Sequence, residues 1–277
     1  MLRYCLNPLF ALLISLFLST AVLAQSDTIK GISNFTLDRL GNCYAVKNGS
    51  EIIKLDANGT ILNSNSRRDL GTPDIIDATN PLRILVFYKD FGFISILDNQ
   101  LSKQNDINLR LMNIASPTLV AGANDGGIWV FDSETVQLFK IDINLNQSKI
   151  NVDIRQLLNQ TIKPMRMEVS TNFLCLADEH SSYIFDQFGT YSGMLKGIGA
   201  APLYQLNDNL LTTGNKNGIS KRDLKLFLSE QMLSGSISSD ICKTMIVEEK
   251  TWQLNIRQEL TRSEKKTITF QHFLVRY

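Results

Sequence analysis

The sequence predicts an all-β protein, a β-propeller of about six four-stranded blades, with five or seven blades as the alternatives. The first observation is a short apolar segment that ends in Asp and recurs at Asp56, Asp98, Asp142, Asp186 and, in a weaker copy, Asp223. These aspartates are 42, 44, 44 and 37 positions apart, a spacing that matches one propeller blade. The second is composition, because 44% hydrophobic and 20% charged residues are typical of a packed globular domain rather than a disordered chain.

The N-terminal segment has the pattern of a secretory signal peptide. Arg3 supplies a positive charge, the apolar run Leu9 to Leu18 follows it, and Val22 to Ala24 precede a suitable cleavage point. The alternative is an uncleaved membrane anchor, but an apolar stretch of about fifteen residues is short of the roughly twenty that a spanning helix needs. We therefore predict a signal peptide at 1–24 and a single β-propeller domain at 25–277.

The charge balance of the mature chain restricts its partners. Arg3 is the only charged residue of the signal segment, so 27 basic and 27 acidic residues remain after cleavage. Nucleic acids demand a basic face, and anionic membranes attract basic segments. The composition therefore predicts no nucleic-acid partner, and no second segment is apolar and long enough for stable membrane insertion.

Each repeat has the pattern of an antiparallel unit, in the order strand, turn, strand, turn, strand, Asp-turn, strand. The Asp at the strand end is expected to accept hydrogen bonds from the backbone N–H groups of the next two residues and so to hold the turn. A sixth unit, which lacks the terminal Asp, is predicted from Ile237 to Ile256 and a closing strand at Lys266 to Tyr277. Val152 to Thr161 is the best candidate helix, interpreted as an excursion between the third and fourth blades.

Two segments resemble known propellers. Phe35 to Tyr44 contains Asp-x-x-Gly-Asn-x-Tyr and resembles the repeat of NHL-type six-bladed propellers, a resemblance that Asn58-Gly59 after Leu55-Asp56 extends. Through Asn80 to Phe91 the chain is also similar to uncharacterised exported propeller-like proteins of Gram-negative Bacteroidota. The resemblance implies a fold and a compartment, but no reaction, because propellers have many unrelated functions.

The cysteines and tryptophans are predicted to be structural. Cys43, Cys175 and Cys242 remain after signal cleavage, each within an apolar strand-like run. Small buried hydrophobic side chains are one interpretation, and one disulfide with an unpaired third cysteine is the alternative in an exported protein. Trp129 and Trp252 lie on predicted strands and are expected to pack between blades.

Few residues suggest catalysis. His180 lies in the turn Asp178-Glu179-His180, which could bind a metal but is interpreted as a solvated polar turn, and His272 is interpreted as structural. Asp90-Phe91-Gly92 copies the kinase triplet without the other kinase motifs. No cofactor is predicted, although a calcium site formed by carboxylate and Asn side chains in the central channel is left open.

The sequence offers one candidate binding segment. Tyr88, Lys89, Phe91 and Phe93 lie in and beside a predicted hairpin turn. Aromatic side chains exposed on a rigid scaffold are suited to contacts with proteins or glycans. The alternative is that Phe91 packs on the neighbouring blade.

These observations favour a noncatalytic protein-interaction scaffold of the cell envelope. It would be exported to the periplasm, the cell surface or the medium, and its partner would be an envelope or extracellular protein. Two alternatives remain: a propeller that binds a glycan or small ligand, and an enzyme with carboxylates, with or without calcium, in its central channel.

Overall fold

The structure, a computed structural model, describes residues 28–225, 230–233, 235–247 and 250–264. The predicted signal peptide at 1–24 and the predicted closing strand at Lys266 to Tyr277, with His272, lie outside the described residues. Strands account for most of the described chain. The all-β prediction is therefore confirmed.

The bounds of the secondary-structure elements are as follows. The strands, in chain order, are β1 (Thr28–Lys30), β2 (Ile32–Leu37), β3 (Cys43–Lys47), β4 (Glu51–Leu55), β5 (Ile61–Ser66), β6 (Ile75–Asp77), β7 (Ile84–Tyr88), β8 (Phe93–Leu97), β9 (Lys103–Asn108), β10 (Pro117–Gly122), β11 (Ile128–Asp132), β12 (Gln137–Ile141), β13 (Gln147–Asp153), β14 (Arg166–Val169), β15 (Phe173–Ala177), β16 (Ser181–Asp186), β17 (Tyr191–Lys196), β18 (Leu203–Asn207), β19 (Leu210–Asn215), β20 (Gly218–Asp223), β21 (Glu230–Leu233), β22 (Ile241–Val247), β23 (Lys250–Asn255) and β24 (Glu259–Glu264). The helical elements are α1 (Ile154–Leu158) and three 3-10 turns at Arg68–Leu70, Lys89–Phe91 and Arg110–Met112.

Consecutive strands pair into four-stranded antiparallel sheets. Four such sheets are β2–β5, β6–β9, β10–β13 and β14–β17. The other eight strands form one sheet in the order β1-β24-β23-β22-β18-β19-β20-β21. The parallel pair Leu203–Thr244 separates β18–β21 from an array of β22, β23, β24 and β1. The described residues thus contain six four-stranded arrays, each called a unit below.

The first strands of the six units lie against one another in a closed cycle. The order of contact is β2, β6, β10, β14, β18, β22 and back to β2. Sheets that radiate from a central channel lined by their first strands are the arrangement of a β-propeller. The predicted fold class is confirmed.

The last unit is completed by the N-terminal strand. The predicted segment Ile237 to Ile256 covers β22 and β23, and the outer neighbour of β24 is β1, through the pairs Thr28–Thr261 and Ile29–Leu260. The Ile32 N–H then donates to the Gln258 carbonyl at 2.9 Å. The ring is therefore closed by residues from both ends of the described chain.

The predicted Asp-turns form, but the donors are the second and fourth residues after the Asp and not the next two. Asp56 Oδ1 accepts hydrogen bonds from the backbone N–H groups of Asn58 and Thr60, both at 2.8 Å. Asp98 and Asp186 accept from the same two relative positions. One carboxylate oxygen thus holds both sides of each turn, which is the physical basis of the repeated Asp.

The last unit uses Asn in place of Asp. Asn255 Oδ1 accepts from the backbone N–H groups of Arg257 at 2.9 Å and Glu259 at 3.0 Å. Because an amide oxygen offers the same lone pairs as a carboxylate oxygen, the turn needs no negative charge. A search for Asp alone misses this copy.

Hydrophobic clusters between neighbouring units form the core. Trp129 packs with Met167, Leu174 and Leu176 of the next unit, and Trp252 packs in the cluster between the last unit and the first. Both indoles are about 1% exposed. The expected packing of the two tryptophans between blades is confirmed.

The three described cysteines are free thiols, and one of them corrects the sequence-based expectation. Cys43 and Cys175 are buried as expected, whereas Cys242 is exposed. The register of β22 against β23 shifts between Ile241 and Lys243, so Cys242 has no cross-strand partner, and it is exposed between two partly buried neighbours. The predicted burial of Cys242 was wrong for this reason.

The predicted helix is present but shorter than expected. It spans Ile154–Leu158 and begins at Asp153, whose carboxylate accepts from the Gln156 N–H at 2.9 Å. An Asp in this position stabilises a helix start because it satisfies a backbone N–H that has no intrahelical partner. The helix lies between the third and fourth units, as predicted.

Candidate functional site

The first strands enclose a central cavity of about 280 Å³. Its wall combines charged or polar side chains with apolar ones, and consecutive residues of the first strands contribute to it. Its polar members include Asn34, Asp77, Arg166, Glu168 and Lys243. A second cavity of about 430 Å³ shares Glu168 with it and continues toward Gln205 on β18.

Arg166 and Glu168 form an ion pair on β14. The Arg166 Nε donates to Glu168 Oε1 at 2.9 Å, and the Arg166 Nη1 donates to the Ala201 carbonyl at 3.1 Å. The guanidinium lies over the Tyr204 ring, 5.6 Å from its centroid. Two hydrogen bonds and a ring contact fix the guanidinium in the cavity wall.

Lys243 reaches from β22 to the first unit. Its Nζ donates to Asn34 Oδ1 at 3.0 Å and to the Phe35 carbonyl at 2.5 Å. Desolvation, reinforced by the nearby Arg166 charge, lowers the pKa of Lys243 to about 8. Both hydrogen-bond acceptors are neutral, so they solvate the ammonium without neutralising its charge.

Asp77 lies across the cavity and is held by the backbone. Its Oδ2 accepts from the Gly122 N–H at 2.6 Å, and its Oδ1 accepts from the Thr79 N–H at 2.8 Å. The bond to Gly122 joins the second unit to the third. Across the described ranges, no three Asp, Glu, His or Cys side chains lie close enough together to hold a metal ion.

The candidate binding segment lies on a different part of the surface. Lys89–Phe91 forms the turn between β7 and β8, and Gly92 follows it with a positive φ of 60°. Phe91 is 48% exposed, Phe93 is partly buried, and Tyr88 is only 1% exposed. The structure therefore presents Lys89 and Phe91 to solvent, while Tyr88 and Phe93 support them from beneath.

A second turn is bonded to this one. The Leu109 N–H donates to the Gly92 carbonyl at 2.9 Å, and Arg110 Nη2 donates to the Asp90 carbonyl at 2.7 Å. Leu111 follows Arg110 and is 83% exposed. We call Lys89, Phe91, Arg110 and Leu111 the loop patch.

Sequence reasoning missed half of the loop patch. Arg110 and Leu111 are 19 and 20 positions from Phe91, and only the folded chain brings the two turns together. The available signal was local: Asn108 Oδ1 accepts from the Arg110 N–H at 3.1 Å, a side-chain bond typical of a tight turn. A leucine within such a turn is a candidate for exposure.

The Asp178-Glu179-His180 turn is held by backbone hydrogen bonds. Asp178 Oδ1 accepts from the N–H groups of His180 and Ser181, and Asp178 Oδ2 accepts from the Tyr183 hydroxyl at 2.9 Å. His180 points to solvent. Since Asp178 is engaged in the turn, the arrangement matches the predicted polar turn.

None of the helices in the described part of the chain has the length and apolar character to cross a bilayer.

The fold is similar to those of several solved structures. Streptogramin B lyase has a TM-score of 0.57 and 12% identity, over 83% of this chain and 78% of that one. BBS1N, solved in complex with ARL6DN, has a TM-score of 0.55 and 13% identity, over 85% and 78%. The WD40 domain of Pan2 from Neurospora crassa has a TM-score of 0.54 and 9% identity, over 88% and 92%.

No protein-family model matches the sequence, and no curated protein matches it significantly. At identities of 9 to 13%, a structural likeness carries information about architecture alone. The comparisons thus establish the fold of this chain, which is that of a β-propeller.

Proposed function

We propose that this chain is an exported, noncatalytic β-propeller that acts as a protein-interaction scaffold in the cell envelope. The observation that carries the proposal is the loop patch, in which two solvent-exposed apolar side chains lie on turns that hydrogen-bond to each other. BBS1N, a propeller of similar fold, is itself in complex with another protein, ARL6DN. The argument for this chain rests on its own patch.

The loop patch has the composition of a contact surface. Phe91 and Leu111 remain largely exposed, and a partner that covered them would remove apolar area from water at about 25 cal/mol per Å². Lys89 and Arg110 flank them and are both exposed. Aromatic and Arg side chains are enriched at interface centres, so an apolar partner surface edged with carboxylates would fit.

The two turns that carry the patch are tied to each other. The Gly92 carbonyl accepts from the Leu109 N–H, and the Asp90 carbonyl accepts from Arg110 Nη2. Phe91 also lies near Gly71, where an added Cβ would be 4.0 Å from the ring. Because these bonds position the two turns before a partner arrives, less ordering of the backbone is needed on binding.

The test uses a double variant and a matched control. A photo-crosslinking phenylalanine analogue replaces Phe91 in the native host, and the crosslinked proteins are identified by mass spectrometry. We expect a specific envelope protein to be captured, and its co-purification to fall at least roughly tenfold in Phe91→Ser/Leu111→Ser, since the change removes two central apolar contacts.

The control replaces the same two residue types elsewhere. Leu82 and Phe188 are 66% and 65% exposed in other turns, so Leu82→Ser/Phe188→Ser changes surface polarity equally without touching the loop patch. Recovery of the partner should be unchanged in this control. Equal losses in both double variants, or none in either, would count against the patch as the interface.

Export is supported by the sequence of residues 1–24 and has its own test. Mass spectrometry of the protein isolated from its native host should give Gln25 as the first residue, with the protein in the envelope fraction or medium. An intact N-terminus on a protein found inside the cell would contradict the envelope assignment.

A further inference from the structure

The central cavity contains a cation that lacks a counterion. Lys243 lines the cavity, and its two hydrogen-bond acceptors, Asn34 Oδ1 and the Phe35 carbonyl, are neutral. No carboxylate of the described chain lies within 4.0 Å of its Nζ. Charges withdrawn from water are ordinarily paired, because desolvation of an unpaired charge costs free energy.

The charged groups around Lys243 do not provide a counterion for its ammonium. Arg166 and Glu168 face it from β14, Asp77 faces it from β6, and the Cys43 thiol lies behind it on β3. Glu168 is bonded to Arg166, Asp77 accepts two backbone N–H bonds, and Asp74, which also lines the cavity, accepts from the Lys89 N–H at 2.8 Å. Each carboxylate is thus committed elsewhere, and two cations face the same space.

A structural role alone does not account for Lys243. Lys54 also joins two units, with its Nζ donating to the Asn99 carbonyl at 2.8 Å over the Tyr44 ring. Lys54 is not part of the cavity wall. A lysine can therefore join two units without lining the cavity. Lys243 differs from Lys54 because its ammonium also faces the cavity beside Arg166.

The rest of the wall indicates the kind of anion that would fit. Side chains without polar hydrogen-bonding groups form a large part of the lining, among them Leu119, Val120, Met165, Met167 and Met245. Such a wall favours a molecule with an apolar body and one charged group over a fully hydrated inorganic ion. A volume of about 280 Å³ limits the molecule to a small one.

We propose that the central cavity binds a small organic carboxylate, whose carboxylate group lies between the Lys243 ammonium and the Arg166 guanidinium and whose apolar part contacts the Leu and Met side chains. The site is separate from the loop patch and does not depend on the scaffold function. The ligand supplies the negative charge that Lys243 lacks.

Binding should be accompanied by proton uptake. Free Lys243 has a pKa of about 8, and an adjacent carboxylate favours the charged form. At about pH 8.5, carboxylate binding therefore returns a proton to the amine. This signature separates binding at Lys243 from binding elsewhere on the protein.

The test is isothermal titration calorimetry of the purified protein with butyrate and phenylacetate, in two buffers of different ionisation enthalpy. We expect binding with proton uptake at about pH 8.5, and roughly tenfold or weaker affinity with loss of uptake in Lys243→Met. Butanamide, which has the shape of butyrate without the charge, should not bind. Absence of butyrate and phenylacetate binding would overturn the proposal, as would tighter binding of inorganic phosphate.

Two further variants distinguish a specific loss of butyrate binding from misfolding of the protein. Asn34→Asp places an internal carboxylate beside Lys243 and keeps the hydrogen-bond acceptor, so it should abolish butyrate binding in a folded protein. Lys54→Met removes the other inter-unit lysine and should leave binding unchanged. Unaltered butyrate binding in Asn34→Asp would overturn the proposal. The loop-patch variant Phe91→Ser/Leu111→Ser should bind butyrate normally, so the test of the cavity is independent of the test of the scaffold function.

Discussion

Lys243 joins the last unit to the first through hydrogen bonds from its ammonium to the Asn34 side chain and the Phe35 carbonyl. The same ammonium lies over the Phe35 ring, 5.4 Å from its centroid. These contacts hold a group whose charged form is disfavoured by its surroundings. Protonation of Lys243 is therefore coupled to the stability of the contact between the last unit and the first.

The sign of that coupling can be measured. Lys243 has a pKa of about 8 in the folded protein, against 10.5 for an unperturbed lysine. Between these values the unfolded chain holds the proton and the folded protein does not, so the free energy of unfolding should rise with pH across this window. We expect a rise on the order of 1–3 kcal/mol relative to Lys243→Met, measured by urea denaturation at several pH values. A constant difference between the two proteins would contradict the lowered pKa.

Single residues were the hardest features to predict. Lys243 is an ordinary lysine in an ordinary strand, and its role depends on a cavity whose wall is completed by four other strands. Cys242 was expected to be buried, but a register shift exposes it. Sequence periodicity specifies alternation along a strand and contains no information on where that alternation is interrupted.

At the scale of the element, the Asp-turn is the best-predicted feature. The Asp supplies the acceptor, and both partners follow it within four residues, so local sequence is sufficient to identify it. The remaining requirement is a positive φ at the third residue after the Asp or Asn, found at Gly59 and Gly189 but also at Leu101 and Gln258. Glycine is thus preferred at this position and not required.

Removal of the acceptor should weaken a turn. Asp98 accepts from the Gln100 and Ser102 N–H groups, both at 2.8 Å, so Asp98→Ala should lower the free energy of unfolding by about 1–2 kcal/mol. Gln100→Ala, an exposed change in the same turn, should stay within about 0.5 kcal/mol. Urea denaturation distinguishes the two, and equal effects would show that the carboxylate does not hold the turn.

Removal of backbone strain should strengthen a turn. Gln258 has a φ of 60° and an exposed side chain, and this conformation costs roughly 1 kcal/mol for a residue with a Cβ. Gln258→Gly should therefore raise the free energy of unfolding by up to about 1 kcal/mol. Arg257→Gly, at a neighbouring exposed position without positive φ, should lower it instead, and thermal melts of the two variants give the comparison. A fall in stability for both would rule out strain at Gln258.

At the scale of the whole molecule, the six units form a ring whose closure is not local. Ile29 on β1 is partly buried against the cluster that contains Trp252 and Leu260. Its strand partners lie on β24, at the far end of the described chain. The stability of the ring thus depends on a strand of three residues.

A charge on that strand should open the ring. Ile29→Asp places a carboxylate against the apolar cluster and should cost about 1–3 kcal/mol. Because it frees the edge of β24, it should also promote self-association, since unpaired edges pair with other chains. Size-exclusion chromatography and urea denaturation measure the two effects. Thr28→Asp, exposed on the same strand, should have little effect, and a similar loss there would argue against the cluster as the cause.

The repeat predicted the fold class but not the closure. Five units carry an Asp at a spacing that a search for internal repeats detects. The last unit has Asn255 in place of the Asp, and its outer strand is the N-terminal β1. A three-residue strand has too few side chains to show alternation, and its partners lie more than two hundred positions away. The loop patch was half predicted for the same reason, because Phe91 stands out in its own turn and Leu111 joins it only in the folded chain.

The pairing of β1 with β24 also determines the order in which parts of the protein can fold. Thr28 and Thr261, which pair, are 233 positions apart, and at 5–20 residues per second a ribosome needs on the order of tens of seconds to make the intervening chain. The middle units can pair as soon as each is synthesised, since their strands are neighbours in sequence. Strand β1 is made first and must wait for a partner that is made near the end. Ring closure is therefore the late step of folding, and until it occurs the growing protein carries one strand without a sheet.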